Sequence, residues 1–181
     1  KSVEVAYYCA DLSSDKELFG VIERFGTADI LINNAGMFPM KSLLDSTLRD
    51  FDECMAINVR VPFVLSHYFG SAMREKKWGR IVNIGSSSAY SGFKDTSMYC
   101  ASKHALLGFS RAIHDELKEH NVRTYHVAPS STQTKMGLAT KGQDYSTFLD
   151  PEDIAKYVVF AISFDSNIMS EEIFLKRRII R

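Results

Sequence analysis

Apolar positions along the chain follow two alternating patterns. Short runs rich in β-branched residues predict strands, and longer segments with apolar residues every three or four positions predict helices. The predicted strands are residues 3–9, 29–32, 81–84, 122–127 and 172–175. The predicted helices begin near residues 14, 47, 62, 99 and 151. Strands that alternate with helices of this length indicate an α/β fold with a doubly wound parallel sheet.

Residues that end or interrupt helices refine this picture. Ser13 or Ser14 is a candidate N-cap for the first helix, and Gly26 is a candidate stop. Thr47 is a candidate cap for the second helix, which Asn58 then interrupts. An amide among apolar neighbours needs a hydrogen-bond partner if it is buried, so Asn58 could serve a kinked helix or a site.

Polar and small residues follow several predicted strands. In parallel α/β sheets, ligands bind at the carboxyl ends of the strands. The residues at these ends are Asp11, Asn33-Asn34-Ala35-Gly36, Ser86 and the long polar loop that follows Pro129. Their grouping predicts a binding site at one edge of the sheet.

Tyr99 and Lys103 lie four residues apart, so on a helix they share one face. An ammonium group beside a phenol favours the phenolate, so we expect a lowered pKa for Tyr99 and proton transfer to a carbonyl oxygen. Ser86 lies at a strand end thirteen residues before Tyr99, where its hydroxyl could hold that carbonyl. A solvated helix face also produces the Tyr-x-x-x-Lys spacing, so the pair by itself leaves both interpretations open.

Composition excludes several function classes. The 181 residues suit a single domain, and 22 basic against 22 acidic residues give no support for binding nucleic acid or anionic membranes. The three cysteines lack the spacing of a metal site or a disulfide framework, so we expect no metal and a reducing, cytoplasmic location. No apolar run approaches the ~18 residues of a membrane span.

Five motifs occur in the order and spacing found in one family. They are Asn33-Asn34-Ala35-Gly36, Asn58, Ser86, Tyr99-x-x-x-Lys103 and Pro129-x-x-x-x-Thr134. Across essentially its whole length the chain resembles the short-chain dehydrogenases/reductases. Residues 97–103, 151–155 and 171–175 are similar to sepiapterin-reductase-like and 3-oxoacyl-[acyl-carrier-protein]-reductase-like members. The resemblance implies a Rossmann-like fold and hydride transfer between NAD(P)(H) and a carbonyl or secondary alcohol.

The resemblance also implies roles for individual residues. Tyr99 would be the general acid/base, and Lys103 would lower its pKa and bind the nicotinamide ribose. Ser86 would orient the substrate carbonyl; its neighbours Ser87 and Ser88 are excluded only by the spacing to Tyr99. Asn58 would hold a water molecule in a proton relay through Lys103.

The implied cofactor is NADP(H) in preference to NAD(H). Asp11 and Leu12 would contact the adenine, although Asp11 could instead be an acidic residue at a helix N-terminus. The other implied cofactor-binding residues, besides Tyr99 and Lys103, are Asn34, Ala35, Gly36, Pro129, Thr132 and Thr134. The resemblance further implies a homodimer or homotetramer.

The chain departs from the family pattern in two places. The Gly-x-x-x-Gly-x-Gly loop, its strand and the strand that follows are absent, and the family's Pro-Gly is Pro129-Ser130 here. In the doubly wound order the absent strands lie between residues 3–9 and 29–32, so we expect the native protein to begin about 50–60 residues earlier.

Two further functions compete with a carbonyl reductase. The first is a non-catalytic nicotinamide-nucleotide sensor or scaffold with the same fold, which need not retain the proton-transfer residues. The second is a hydrolase that uses Ser86, but the sequence lacks the Gly-x-Ser-x-Gly turn of such enzymes because Ser87 and Ser88 follow.

Overall fold

A parallel four-stranded sheet organises the protein. The computed structural model describes residues 3–140 and 142–178. The strands are β1 Ile30–Asn33, β2 Gly79–Ile84, β3 Val122–Pro129 and β4 Glu172–Leu175, hydrogen-bonded in the order β1-β2-β3-β4. The helices are α1 Asp15–Phe25, α2 Leu48–Met55, α3 Val61–Lys76, α4 Ser97–Leu117 and α5 Pro151–Ile162. The predicted α/β fold is confirmed.

Local signals in the sequence set the helix ends. The Ser14 hydroxyl accepts from the Glu17 amide, and α1 ends at Gly26, whose φ of 63° is in the left-handed region. Thr47 and Asp50 form a reciprocal capping box at the start of α2. The Asp150 carboxylate caps α5 through the Glu152 amide. These caps confirm the predicted boundaries because they satisfy backbone donors within one turn.

The strand predicted at residues 3–9 is wrong. The segment has no ladder partner in the described part of the chain, and Val3 and Tyr7 are more than four-fifths exposed. A strand needs a neighbour to pair its N–H and C=O groups, and β1 pairs only with β2 in the described sheet. The segment instead lies near α1, where the Tyr8 hydroxyl would lie 3.0 Å from a Cβ placed on Gly20.

Apolar side chains fill both faces of the sheet. On one face Leu18 of α1 packs with α3 and with Ile81 and Val122 of the strands. On the other face Val82 and Tyr125 pack with Val158 of α5. Helices therefore cover both faces, as in a doubly wound sheet, and the carboxyl ends of the strands stay free for a site.

We predict that Leu18→Ala lowers the free energy of unfolding by about 3 kcal/mol, since Leu18 is fully buried and its loss leaves a cavity. Urea unfolding followed by circular dichroism measures the change. Leu44→Ala is the matched control because Leu44 is 94% exposed. Equal stability of the two variants would contradict the assignment of Leu18 to the core.

Candidate active site

Ser86 lies two residues after the end of β2 and caps the short 3-10 turn Ser87–Ala89. Its hydroxyl accepts a hydrogen bond from the Ser88 amide over 3.1 Å, which holds the side chain at the start of the turn. The Ser86 side chain also lies near the Tyr99 phenol, where it acts to lower the pKa of that phenol. The spacing argument that favoured Ser86 over Ser87 and Ser88 thus agrees with the contacts of its side chain.

Tyr99 lies in the first turn of α4 and is buried. The Phe38 ring packs edge-on against it, with ring centroids 4.6 Å apart. Burial raises the pKa of Tyr99, and the nearby Ser86 side chain only partly offsets that rise. The lowered pKa expected from Lys103 is wrong for this structure, because burial of the phenol raises its pKa. The Lys103 ammonium lies 5.6 Å from the centre of the ring.

Lys103 is the cation of the site and is buried one helical turn after Tyr99. Its Nζ donates to the carbonyl oxygen of Ile84 over 2.9 Å, so the end of β2 anchors the ammonium group. Burial lowers its pKa to about 8. An ammonium group has three N–H donors, so two remain available for other groups.

Asn58 lies in a π-helical turn, Ala56–Arg60, between α2 and α3. Its Oδ1 accepts from the Met37 amide over 2.9 Å, and its Nδ2 donates to the Met37 carbonyl and to Ser102 Oγ, each over 3.0 Å. Asn58 therefore connects the loop after β1 to α4. These contacts match the interpretation of Asn58 as a residue satisfied at an interrupted helix, and the relay water stays a prediction.

Gly36 lies close to both of these residues. A Cβ added at Gly36 would lie 3.3 Å from Asn58 Oδ1 and 3.8 Å from Lys103 Nζ. The preceding Asn34 and Ala35 are exposed in the turn after β1. Any side chain at position 36 would fill the space beside the ammonium group. Because Gly36 has none, this loop leaves room for a ligand next to Lys103. The nicotinamide-ribose end of a dinucleotide fits this arrangement.

Comparison with known families agrees with this geometry. The sequence model described as short chain dehydrogenase matches residues 2–144. The chain belongs to the short-chain dehydrogenase family. The resemblance stated from the motifs is confirmed.

Two curated relatives show the extent of the similarity. An uncharacterized oxidoreductase of Thermotoga maritima is 33% identical over 172 residues, which are 94% of this chain and 67% of that protein. A sepiapterin reductase of Chlorobaculum tepidum is 33% identical over 86% of this chain and 64% of its own length. This short-chain dehydrogenase chain thus spans about two thirds of the length of these two relatives.

Solved structures are similar as well. A 4-hydroxyisoleucine dehydrogenase complexed with NADH superposes with a TM-score of 0.82 at 26% identity, covering 92% of this chain and 76% of that one. A metagenomic short-chain oxidoreductase in complex with NADP has a TM-score of 0.78 at 28% identity, covering 95% and 74%. One of these proteins holds NADH and the other NADP, so the similarity does not separate the two cofactors.

Asp11 and Leu12 precede α1 in this short-chain dehydrogenase. The Asp11 carboxylate accepts from the amide and the hydroxyl of Ser13, and these bonds hold its pKa below the usual range. Leu12 packs against the apolar cluster that contains Leu18. The observed contacts of Asp11 are those of an acidic residue before a helix, which was the alternative interpretation. The predicted adenine contact stays untested.

The loop after β3 carries the remaining predicted residues. Pro129 is the last residue of β3, Thr132 donates its hydroxyl to the Ser130 carbonyl, and Thr134 accepts from the Gly137 amide. Ser130 has no positive φ, so the backbone there does not require the family's glycine. The Ser130 hydroxyl accepts from the Arg177 amide, which joins this loop to the segment after β4.

Two contributors to the site escaped the sequence analysis: Phe38 and Ser102. Ser102 carried a signal, since it directly precedes Lys103 on the same helix. Phe38 carried none, because its contact with Tyr99 joins segments that are distant in the sequence.

We predict that raising the pH from 7 to 10 increases the unfolding free energy of wild type by about 2 kcal/mol more than that of Lys103→Met. The folded pKa of about 8 lies below the ordinary 10.5, so over this range the unfolded chain binds more protons. Urea titrations at both pH values measure the difference. Lys94→Met, at an exposed position, controls for the loss of one positive charge. A pH-independent difference between wild type and Lys103→Met would contradict the prediction.

Proposed function

We propose that the protein is an NAD(P)-dependent oxidoreductase that interconverts a carbonyl group and a secondary alcohol, with Tyr99 as general acid/base. One observation carries the proposal: the Ser86 hydroxyl, the Tyr99 phenol and the Lys103 ammonium meet at the carboxyl end of β2. A bound nicotinamide supplies the hydride. The chain's own residues supply orientation and the proton.

The protonation state of Tyr99 supports carbonyl reduction at neutral pH. Burial raises the pKa of the phenol, so the hydroxyl carries its proton there and can donate it to a carbonyl oxygen. Ser86 would donate a hydrogen bond to the same oxygen and hold it beside the phenol. In the reverse direction Tyr99 would accept a proton from an alcohol, which favours higher pH.

Lys103 and Gly36 would hold the cofactor. The ammonium group keeps two N–H donors for ribose hydroxyls, and Gly36 leaves the space beside it open. We retain NADP(H) in preference to NAD(H), with Asp11, Leu12, Asn34, Ala35 and the Pro129 loop as contacts. The assignments of Asn34, Ala35 and the Pro129 loop rest on the motif positions and on their placement after β1 and β3. Those of Asp11 and Leu12 rest on the family resemblance alone.

The alternative is a non-catalytic nicotinamide-nucleotide sensor or scaffold. Such a protein would bind the cofactor but need no proton donor beside the substrate. The buried Tyr99 favours the enzyme, since burying a phenol hydroxyl beside the half-buried Ser86 gains little stability without a function.

We predict that Tyr99→Phe lowers kcat at least about 100-fold while the fold is unchanged, because only the acidic hydroxyl is lost. Reduction of a panel of aldehydes and diketones with NADPH and with NADH measures the change. Tyr157→Phe on α5 is the matched control, since Tyr157 is more than half exposed. Cofactor binding without turnover in the wild-type protein would favour the sensor, and full turnover in Tyr99→Phe would exclude Tyr99 as the acid.

We also propose that α3 and α4 form a subunit interface in a homodimer or homotetramer. Phe63 on α3 is 54% exposed and lies beside Phe109 of α4, with ring centroids 5.9 Å apart. These rings line a shallow apolar depression together with Met55 and Val59. Exposed apolar patches of this kind mark interaction surfaces.

We predict that Phe63→Glu shifts the protein to monomers, since a carboxylate cannot be buried in an apolar interface without a partner. Light scattering coupled to size-exclusion chromatography measures the mass at micromolar concentration. Leu44→Glu is the control, because Leu44 is exposed outside α3 and α4. A wild-type protein that is monomeric at this concentration would contradict the proposed interface.

A further inference from the structure

A buried histidine lies directly beneath the proposed active site. His126 on β3 is 1% exposed and is paired with Asn83 of β2 in the register of the sheet. Its Nδ1 lies 3.4 Å from the Ser110 hydroxyl on α4. Its Nε2 has no hydrogen-bond partner within the described residues. The imidazole is therefore held on one side only, and the other side faces the end of β2.

Gly85 is the residue that this imidazole faces. A Cβ added at Gly85 would lie 2.2 Å from His126 Nε2 and 2.3 Å from Cε1, distances that real Cβ atoms do not show. The ring thus occupies the place that any side chain at position 85 would take. Gly85 cannot move away freely, because its amide donates to the Val127 carbonyl over 2.6 Å.

Gly85 also separates the two anchors of the site. The carbonyl of Ile84, on one side, accepts from the Lys103 ammonium, and Ser86, on the other side, carries the hydroxyl beside Tyr99. A shift of the backbone at Gly85 would displace both groups. Misplacing reacting groups by about 1 Å can reduce a rate about 100-fold.

We propose that His126 is a positioning residue, whose ring supports the backbone of Gly85 and thereby sets the positions of Ser86 and Lys103. The expected effect on kcat rests on the proposed function. The support of the Gly85 backbone rests on the steric contact alone. Gly85 and His126 form a matched pair: the large residue at 126 requires the absence of a side chain at 85.

The surroundings of His126 favour a steric role, in which the ring supports the Gly85 backbone, over a role in proton transfer. The groups that face His126 are Ser110, the ring of Tyr90, Lys103, Glu172 and Arg111. Burial, together with the charge of Lys103, lowers the pKa of His126 to about 4, so the ring is neutral at neutral pH. A neutral ring next to Gly85 also avoids a second positive charge close to Lys103.

A double-mutant experiment tests the proposal on the purified protein with Gly85→Ala, His126→Ala and the double variant. We expect Gly85→Ala to lower kcat about 100-fold and to weaken NADPH binding, because the added Cβ collides with the ring. The double variant, which removes that ring, should recover at least ten-fold of the lost kcat. Fluorescence titration with NADPH and melting temperatures provide readouts that do not require turnover.

The controls separate this inference from the proposed function. Gly92→Ala should leave all readouts unchanged, since nothing lies within 4 Å of the added Cβ. If wild type shows no turnover, the proposed function fails. The coupling between positions 85 and 126 is then still measured by NADPH affinity and melting temperature. If a variant at 126 fails to fold, His126→Ser with Gly85→Ser provides the same comparison.

Two results would overturn the proposal. One is a Gly85→Ala variant with wild-type kcat and NADPH affinity, since the ring would then impose no constraint. The other is a folded double variant that recovers neither property. A pH–rate profile gives a further criterion: loss of a limb between pH 5 and 7 in His126→Ala would indicate proton transfer by the imidazole and would contradict a purely steric role.

Discussion

The hydrogen bond from the Lys103 ammonium to the Ile84 carbonyl is the contact on which the site depends. It places a buried cation at the carboxyl end of β2 and ties α4 to the sheet, so Tyr99, one turn earlier on α4, comes to lie beside Ser86. Burying the charge lowers the pKa of Lys103 to about 8. The site therefore costs folding free energy that the apolar clusters on both faces of the sheet must offset.

Glycines around this contact leave the space that the larger side chains of the site need. Gly36 keeps the space beside the ammonium open, and Gly85 makes room for the imidazole beneath the strand end. Asn58 adds rigidity, since its amide holds both backbone groups of Met37 and also reaches Ser102. Tyr99 and Lys103 thus lie among neighbours that connect the loop after β1 to α4, an arrangement that suits the catalysis by orientation that we propose.

The electrostatics of the site differ from those of an isolated Tyr–Lys pair. Spacing on a helix predicts that the ammonium lowers the phenol pKa, but burial dominates and raises it. The spacing does not reveal that the Lys103 ammonium donates to the Ile84 carbonyl and lies 5.6 Å from the centre of the Tyr99 ring. A protonated phenol at neutral pH can donate its proton to a carbonyl oxygen, as the proposed function requires.

The sequence by itself determined the helices, four of the strands and the family to which the chain belongs, because caps, periodicity and motif spacing are local properties of the chain. It failed at residues 3–9, since whether an extended segment becomes a strand depends on a neighbour that can pair with it. Only the tertiary structure decided the pKa of Tyr99, the hydrogen bonds from Asn58 to Met37 and Ser102, and the contact between Gly85 and His126. Each of these depends on burial or on two segments far apart in the chain, and no local pattern encodes that.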